Sequence, residues 1–180
     1  SVATDDRLGI SLSSSISIAN YGDSSGTTKV FMSAADLTTN AQTLTIAASV
    51  TLEVGSGRTL TIATSGTITN NGTLTIAGSG TITNNGTLTN DGTLTIASSG
   101  TLTNDGTLTN NASKTLTNGG TISNSGTITK TEAFTGGAGL VSFASVAAYD
   151  ASVAAGLTLG TSLSSSRSSA NYGHSNLTTK

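Results

Sequence analysis

From Gln42 to Lys130 the chain writes one pattern over and over: Thr, then Leu or Ile, then Thr, then a short run of Asn, Asp, Gly, Ser and Ala. "GTLTNN", "GTITNN", "GTLTND" and "GTLTIA" are its variants. A polar–apolar–polar triplet has the period-two alternation of a β-strand, with the aliphatic side chain on one face and both Thr on the other. Asn, Asp and Gly in the intervening runs tolerate the backbone of tight turns, which predicts a turn after every triplet.

The residues that precede the triplets fall at 42, 50, 58, 66, 72, 80, 86, 92, 100, 106, 114, 120 and 126, so the steps are six or eight residues. Taken three at a time from Gln42 the steps span 24, 20, 20 and 20 residues. That sum predicts an all-β fold: a short three-sided parallel β-solenoid of about 20 residues per coil, built from contiguous repeats that bury a common column. The expected inward residues are Leu44, Ile46, Leu52, Val54, Leu60, Ile62, Ile68, Leu74, Ile76, Ile82, Leu88, Leu94, Ile96, Leu102, Leu108, Leu116, Ile122 and Ile128. Each contributes about 1.5–3 kcal/mol when fully buried. A hairpin meander is the competing architecture, because Asn-Gly is also a hairpin signal. The very short strands and the recurrent 20-residue sum favour the solenoid.

A second duplication brackets the first. Residues 1–29 and 152–180 match at 19 positions without a gap, which is too many for composition alone to explain. The chain therefore divides into an N-terminal flanking and joining segment with a cap (1–41), the solenoid (42–130), and a cap with a C-terminal flanking segment related to 1–29 (131–180). In the first copy Leu8, Ile10, Leu12, Ile16 and Ile18 share one parity, as in a half-buried strand. The second copy keeps Leu159 and Leu163 but places Thr161, Arg167 and Ser169 at the other three positions. Residues 30–41 and 131–151 carry the three Phe and are expected to cover the ends of the column. Ser33 is a candidate cap for a single helical turn.

Composition narrows the function. Charged residues are 9% of the chain and the net charge is −2, so no basic surface calls for nucleic acid. No apolar run approaches the ~20 residues of a membrane-spanning helix. Disorder is disfavoured because 34% of residues are hydrophobic and net charge is low. There is no Cys, the single His is His174, and no Ser sits in a Gly-x-Ser-x-Gly elbow with a plausible His partner. Asp91 and Asp105 lie in similar "NDG" turns, where turn formation is their simplest role. Asp5 and Asp6 lack the spaced oxygen ligands of a calcium loop. Three Tyr (Tyr21, Tyr149, Tyr172) offer little aromatic surface for sugars. No enzyme, cofactor or metal is expected.

The "GTLTNNGTLTN" idiom, over residues 42–130, resembles β-solenoid repeats of secreted bacterial surface proteins and phage fibres. The resemblance implies a structural or adhesive protein on a cell or virion surface and brings no catalytic residues with it. The leading expectation is a non-enzymatic subunit of an extracellular self-assembling filament or surface fibre. Its partners would be copies of itself, joined by β-strand addition through Leu8, Ile10, Leu12, Ile16, Ile18, Leu159 and Leu163. One alternative is a phage or cell-surface attachment fibre that binds a glycan. Another starts from the Thr-x-Thr pairs Thr73/Thr75, Thr93/Thr95, Thr81/Thr83 and Thr101/Thr103, whose grid resembles the water-ordering ranks of ice-binding β-solenoids. Finally, Asn-Gly at Asn71, Asn85 and Asn118 marks three places prone to slow deamidation unless the turns hold the backbone still.

Overall fold

A computed structural model describes residues 16–18, 28–32, 37–130, 140–143 and 145–154. The chain winds as a three-sided parallel β-solenoid of about five coils. β1 (Ile16–Ile18), β2 (Thr28–Met32) and β3 (Leu37–Thr38) form the first coil, and β4 (Thr43–Ile46), β5 (Val50–Val54) and β6 (Thr59–Ile62) the second. The third has β7 (Thr67–Asn70), β8 (Thr73–Ile76) and β9 (Thr81–Asn84); the fourth has β10 (Thr87–Asn90), β11 (Thr93–Ile96) and β12 (Thr101–Asn104). β13 (Thr107–Asn110), β14 (Thr115–Asn118) and β15 (Thr121–Asn124) follow, then β16 (Thr127–Lys130) and β17 (Leu140–Phe143). One helix, α1 (Val146–Ala154), ends the described chain.

Every third strand shares a sheet. The first sheet runs β1-β4-β7-β10-β13-β16, the second β2-β5-β8-β11-β14, and the third β3-β6-β9-β12-β15-β17, with each recorded pair parallel. In the first sheet Leu44, Ile68, Leu88, Leu108 and Ile128 are successive register partners, 24, 20, 20 and 20 residues apart. Those are the intervals read from the sequence. All eighteen expected inward residues are buried, joined by Leu37, Val50, Val141 and Phe143. A hairpin meander would have given antiparallel neighbours.

The alternation of six- and eight-residue units has a backbone cause. Every eight-residue unit closes with a four-residue turn, for example Gly80 N–H donating to Ala77 O at 2.9 Å and Gly100 N–H to Ala97 O at 2.9 Å. The third residue of five of these six turns has φ between 62° and 69°: Ser49, Gly57, Ser79, Ser99 and Ser113. Four are Ser, where Gly would be the unstrained residue. Every six-residue unit instead ends in a tight corner whose glycine lies under the previous coil. A Cβ on Gly106 would fall 2.1 Å from Gly86 O, and one on Gly126 would fall 2.0 Å from Gly106 O. Those stacked corners accept no other side chain without a backbone shift.

The reading of the Asn residues needs correction. The first Asn after each triplet is not turn surface. Asn70, Asn84, Asn90, Asn104, Asn110, Asn118 and Asn124 occupy the fourth strand position and point into the column, at most 3% exposed. This position lies two residues beyond the aliphatic residue, an even step, so both face inward. The eight-residue units mostly put an aliphatic side chain there (Ile46, Val54, Ile62, Ile76, Ile96), and Asn110 is the one exception.

The buried carboxamides pair along the axis. Asn70 Nδ2 donates to Asn90 Oδ1 (2.7 Å) and Asn90 Nδ2 to Asn110 Oδ1 (2.7 Å). At another corner Asn84 Nδ2 donates to Asn104 Oδ1 and Asn104 Nδ2 to Asn124 Oδ1, both at 2.6 Å. The second amide hydrogen reaches a strand carbonyl 23 residues further on: Asn70 to Thr93 O (2.8 Å), Asn84 to Thr107 O (2.8 Å). A buried amide is tolerable only when its donors and acceptors are met, and repetition at a fixed interval meets them.

The far end is closed by α1. Ser152 is fully buried; its Oγ accepts the Ile128 N–H of β16 (2.9 Å) and lies 3.4 Å from Asn124 Nδ2. The helix was not foreseen, and it crosses the expected boundary between cap and second copy at residue 152. The candidate helical turn at Ser33, like Leu8, Ile10, Leu12, Leu159 and Leu163, lies outside the described residues.

Candidate functional site

The outer faces carry an extended chemical pattern that is open to solvent. On each sheet the first and third strand positions project outward, and the register stacks them in ranks. In the first sheet one rank is Thr43, Thr67, Thr87, Thr107 and Thr127, and its neighbour is Thr45, Thr69, Thr89, Thr109 and Thr129. Both are unbroken over five coils. Adjacent strands lie about 4.8 Å apart and alternate residues about 6.6–7 Å apart, so ten hydroxyls form a two-by-five grid about 19 Å long.

The other faces are less regular. The second sheet aligns Thr51, Thr73, Thr93 and Thr115, but its second rank begins at Glu53 before Thr75, Thr95 and Thr117. The third aligns Thr59, Thr81, Thr101 and Thr121 beside Thr61, Thr83 and Thr103, after which Ser123 and Ser142 continue the rank. Thr73/Thr75 and Thr93/Thr95 are thus neighbours, as expected, on the face whose second Thr rank is cut short at Glu53. The longer grid lies on the first sheet, outside the expected pairs, although the 20-residue sum from Gln42 places those units on one side.

Two of the acids sit at corners. Asp91 and Asp105 follow Asn90 and Asn104 on different edges of the prism and share no cleft. Asn111 Nδ2 donates to Asp91 Oδ1 (2.5 Å), and Ser125 Oγ donates to Asp105 Oδ1. In each pair the donor is 20 residues further on, at the same corner of the next coil. Both carboxylates are therefore members of outer turn columns. Among the described residues no three His, Cys, Asp or Glu side chains cluster as metal ligands, and no helix is long and apolar enough to cross a membrane.

Of the residues expected to join subunits, Ile16 and Ile18 are described. They lie in β1, where Ile16 pairs with Leu44 and Ile18 with Ile46. The first copy thus contributes a strand to the solenoid's own opening coil. His174, Asp5, Asp6, Tyr21 and Tyr172 lie outside the described residues. No protein-family model, curated protein or solved structure matches the chain.

Proposed function

We propose that this chain is a non-enzymatic structural subunit of an extracellular self-assembling filament or surface fibre, joined through its end segments by β-strand addition. The observation that carries the reading is the place of the duplicated segment. Residues 16–18 of the first copy form the outermost described strand of the first sheet, in parallel register with β4. The second copy repeats that segment at 167–169 with Arg167, Ser168 and Ser169. A segment that pairs with a coil end in one copy supplies a template for pairing between chains.

The dimensions of the faces argue against side-by-side assembly. A face of six four-residue strands measures about 24 Å by 13 Å, roughly 300 Å². A stable protein interface needs about 800 Å² per partner. Side-by-side packing of single faces falls well short, which favours joining through the end segments over packing of the Thr faces.

Negative-stain electron microscopy over a concentration series tests the reading. Filaments with a regular axial repeat, lost on deletion of residues 1–20 while β-sheet circular dichroism persists, are the expected result. Discrete particles at every concentration, or filaments that survive the deletion, would overturn it.

The unbroken grid on the first sheet supports a second reading, an ice-binding protein. Here Thr89→Tyr, at the grid's centre, is expected to abolish thermal hysteresis while Thr95→Tyr on the face cut short at Glu53 leaves it intact. Absence of hysteresis in the parent protein removes this reading.

A further inference from the structure

The three Asn-Gly pairs are equivalent in sequence and unequal in the fold. Deamidation starts when the backbone nitrogen of the glycine attacks Cγ of the preceding Asn. It therefore needs a mobile side chain and a glycine N–H free of other bonds. Asn118 is 3% exposed, and the Gly119 N–H donates to Ile96 O at 2.7 Å. Asn85 is half-buried, and the Gly86 N–H donates to Asn84 Oδ1 at 3.2 Å. Asn71 is exposed, and the Gly72 N–H meets no acceptor among the described residues.

We infer that Asn71 is a self-modification site, at which Asn71 and Gly72 convert spontaneously to an aspartyl or isoaspartyl linkage while Asn85 and Asn118 are protected. The Gly72 nitrogen loses its proton and bonds to Asn71 Cγ, closing a five-membered succinimide. Nδ2 leaves as ammonia, carrying that proton. One water then opens the imide. Cleavage of the new Cγ–N bond restores the main chain with an aspartate at position 71; cleavage at the original carbonyl leaves the isoaspartyl linkage. One water is consumed and one ammonia released.

The position gives the change a consequence. Asp91 N–H donates to Asn70 O and Asn111 N–H to Asn90 O, so positions 71, 91 and 111 stack at one corner of successive coils. A new carboxylate at 71 stands one coil, about 4.8 Å, from the Asp91 level. The isoaspartyl form also lengthens the main chain by one atom at a corner where a Cβ on Gly72 would already fall 2.3 Å from Ala47 O. Age thus adds like charge and excess backbone to the same edge.

The test incubates the full chain at mildly alkaline pH, digests samples over time, and maps each site by mass spectrometry with electron-transfer fragmentation. Asn71 is expected to convert roughly tenfold faster, or more, than Asn85 and Asn118, since each of those must first break a hydrogen bond or open locally. In concentrated urea the three rates are expected to converge. Equal rates in the folded protein, a slower Asn71, or a ranking that persists in urea would each overturn the inference.

Discussion

Asn104→Ala removes the middle rung of a buried ladder. In the folded protein its Oδ1 accepts from Asn84 Nδ2 at 2.6 Å, and its Nδ2 donates to Asn124 Oδ1 at 2.6 Å and to Thr127 O at 3.1 Å. Truncation leaves Asn124 Oδ1 without that donor and weakens the satisfaction of Thr127 O. Asn84 Nδ2 keeps its bond to Thr107 O. One stranded acceptor and one partly stranded carbonyl, at about 1–3 kcal/mol each, give about 2–5 kcal/mol before any cavity is counted. Asn104→Leu separates the terms. It refills the volume with a residue like Ile62, which holds the same strand position two coils earlier, but it strands the same polar atoms. Its expected cost is about 2–4 kcal/mol. Against a typical total of about 5–15 kcal/mol, either change is large. Urea unfolding followed by far-ultraviolet circular dichroism reads it as a midpoint lowered by about 1–2 M. A Leu variant as stable as the parent would refute the reasoning, because the amides would then be replaceable filler.

Other consequences are local. Ser99, with φ of 66°, carries left-handed strain that Gly relieves, so Ser99→Gly is expected to raise the thermal midpoint by about 2–4 °C and Ser99→Val to lower it. Gly106→Ala forces a backbone shift away from Gly86 O and is expected to cost about 3 kcal/mol, whereas Gly57→Ala meets no atom within 4 Å and costs about 1 kcal/mol of φ strain, both read by chemical unfolding. Ser152→Ala releases the Ile128 N–H, and hydrogen exchange is expected to show that amide exchanging about tenfold faster while the Leu88 amide is unchanged.

The coil was legible because its signal is redundant. Thirteen triplets point the same way, and the 24- and 20-residue intervals reappear as the register of the first sheet. Asn was misread because its turn propensity and its strand position make opposite statements. Parity from Thr67 would have put Asn70 inside, but an isolated buried amide is costly, and only the partner 20 residues later removes that cost. The link between unit length and the fourth residue was also in the sequence. Helix α1 was harder to see, since its first turn has no acidic residue and its last no basic one. The candidate surface was legible as composition but not as geometry. Thr93 and Thr89 sit in identical triplets, and only strand pairing shows that Thr89 belongs to the longer rank.

The two carboxamide columns also give the prism a direction. Every recorded rung donates from Nδ2 toward the C-terminal end and accepts at Oδ1 from the N-terminal side. Aligned amide dipoles add, as peptide dipoles do along a helix. One string begins at Asn70 Oδ1, a buried oxygen without a donor beneath Ile46, and the other ends near the hydroxyl of Ser152. The two strings therefore share one sense, accepting at the N-terminal end and donating toward the C-terminal end. A column of this kind keeps the same sense at every coil it adds, so its two ends present opposite poles of the amide string.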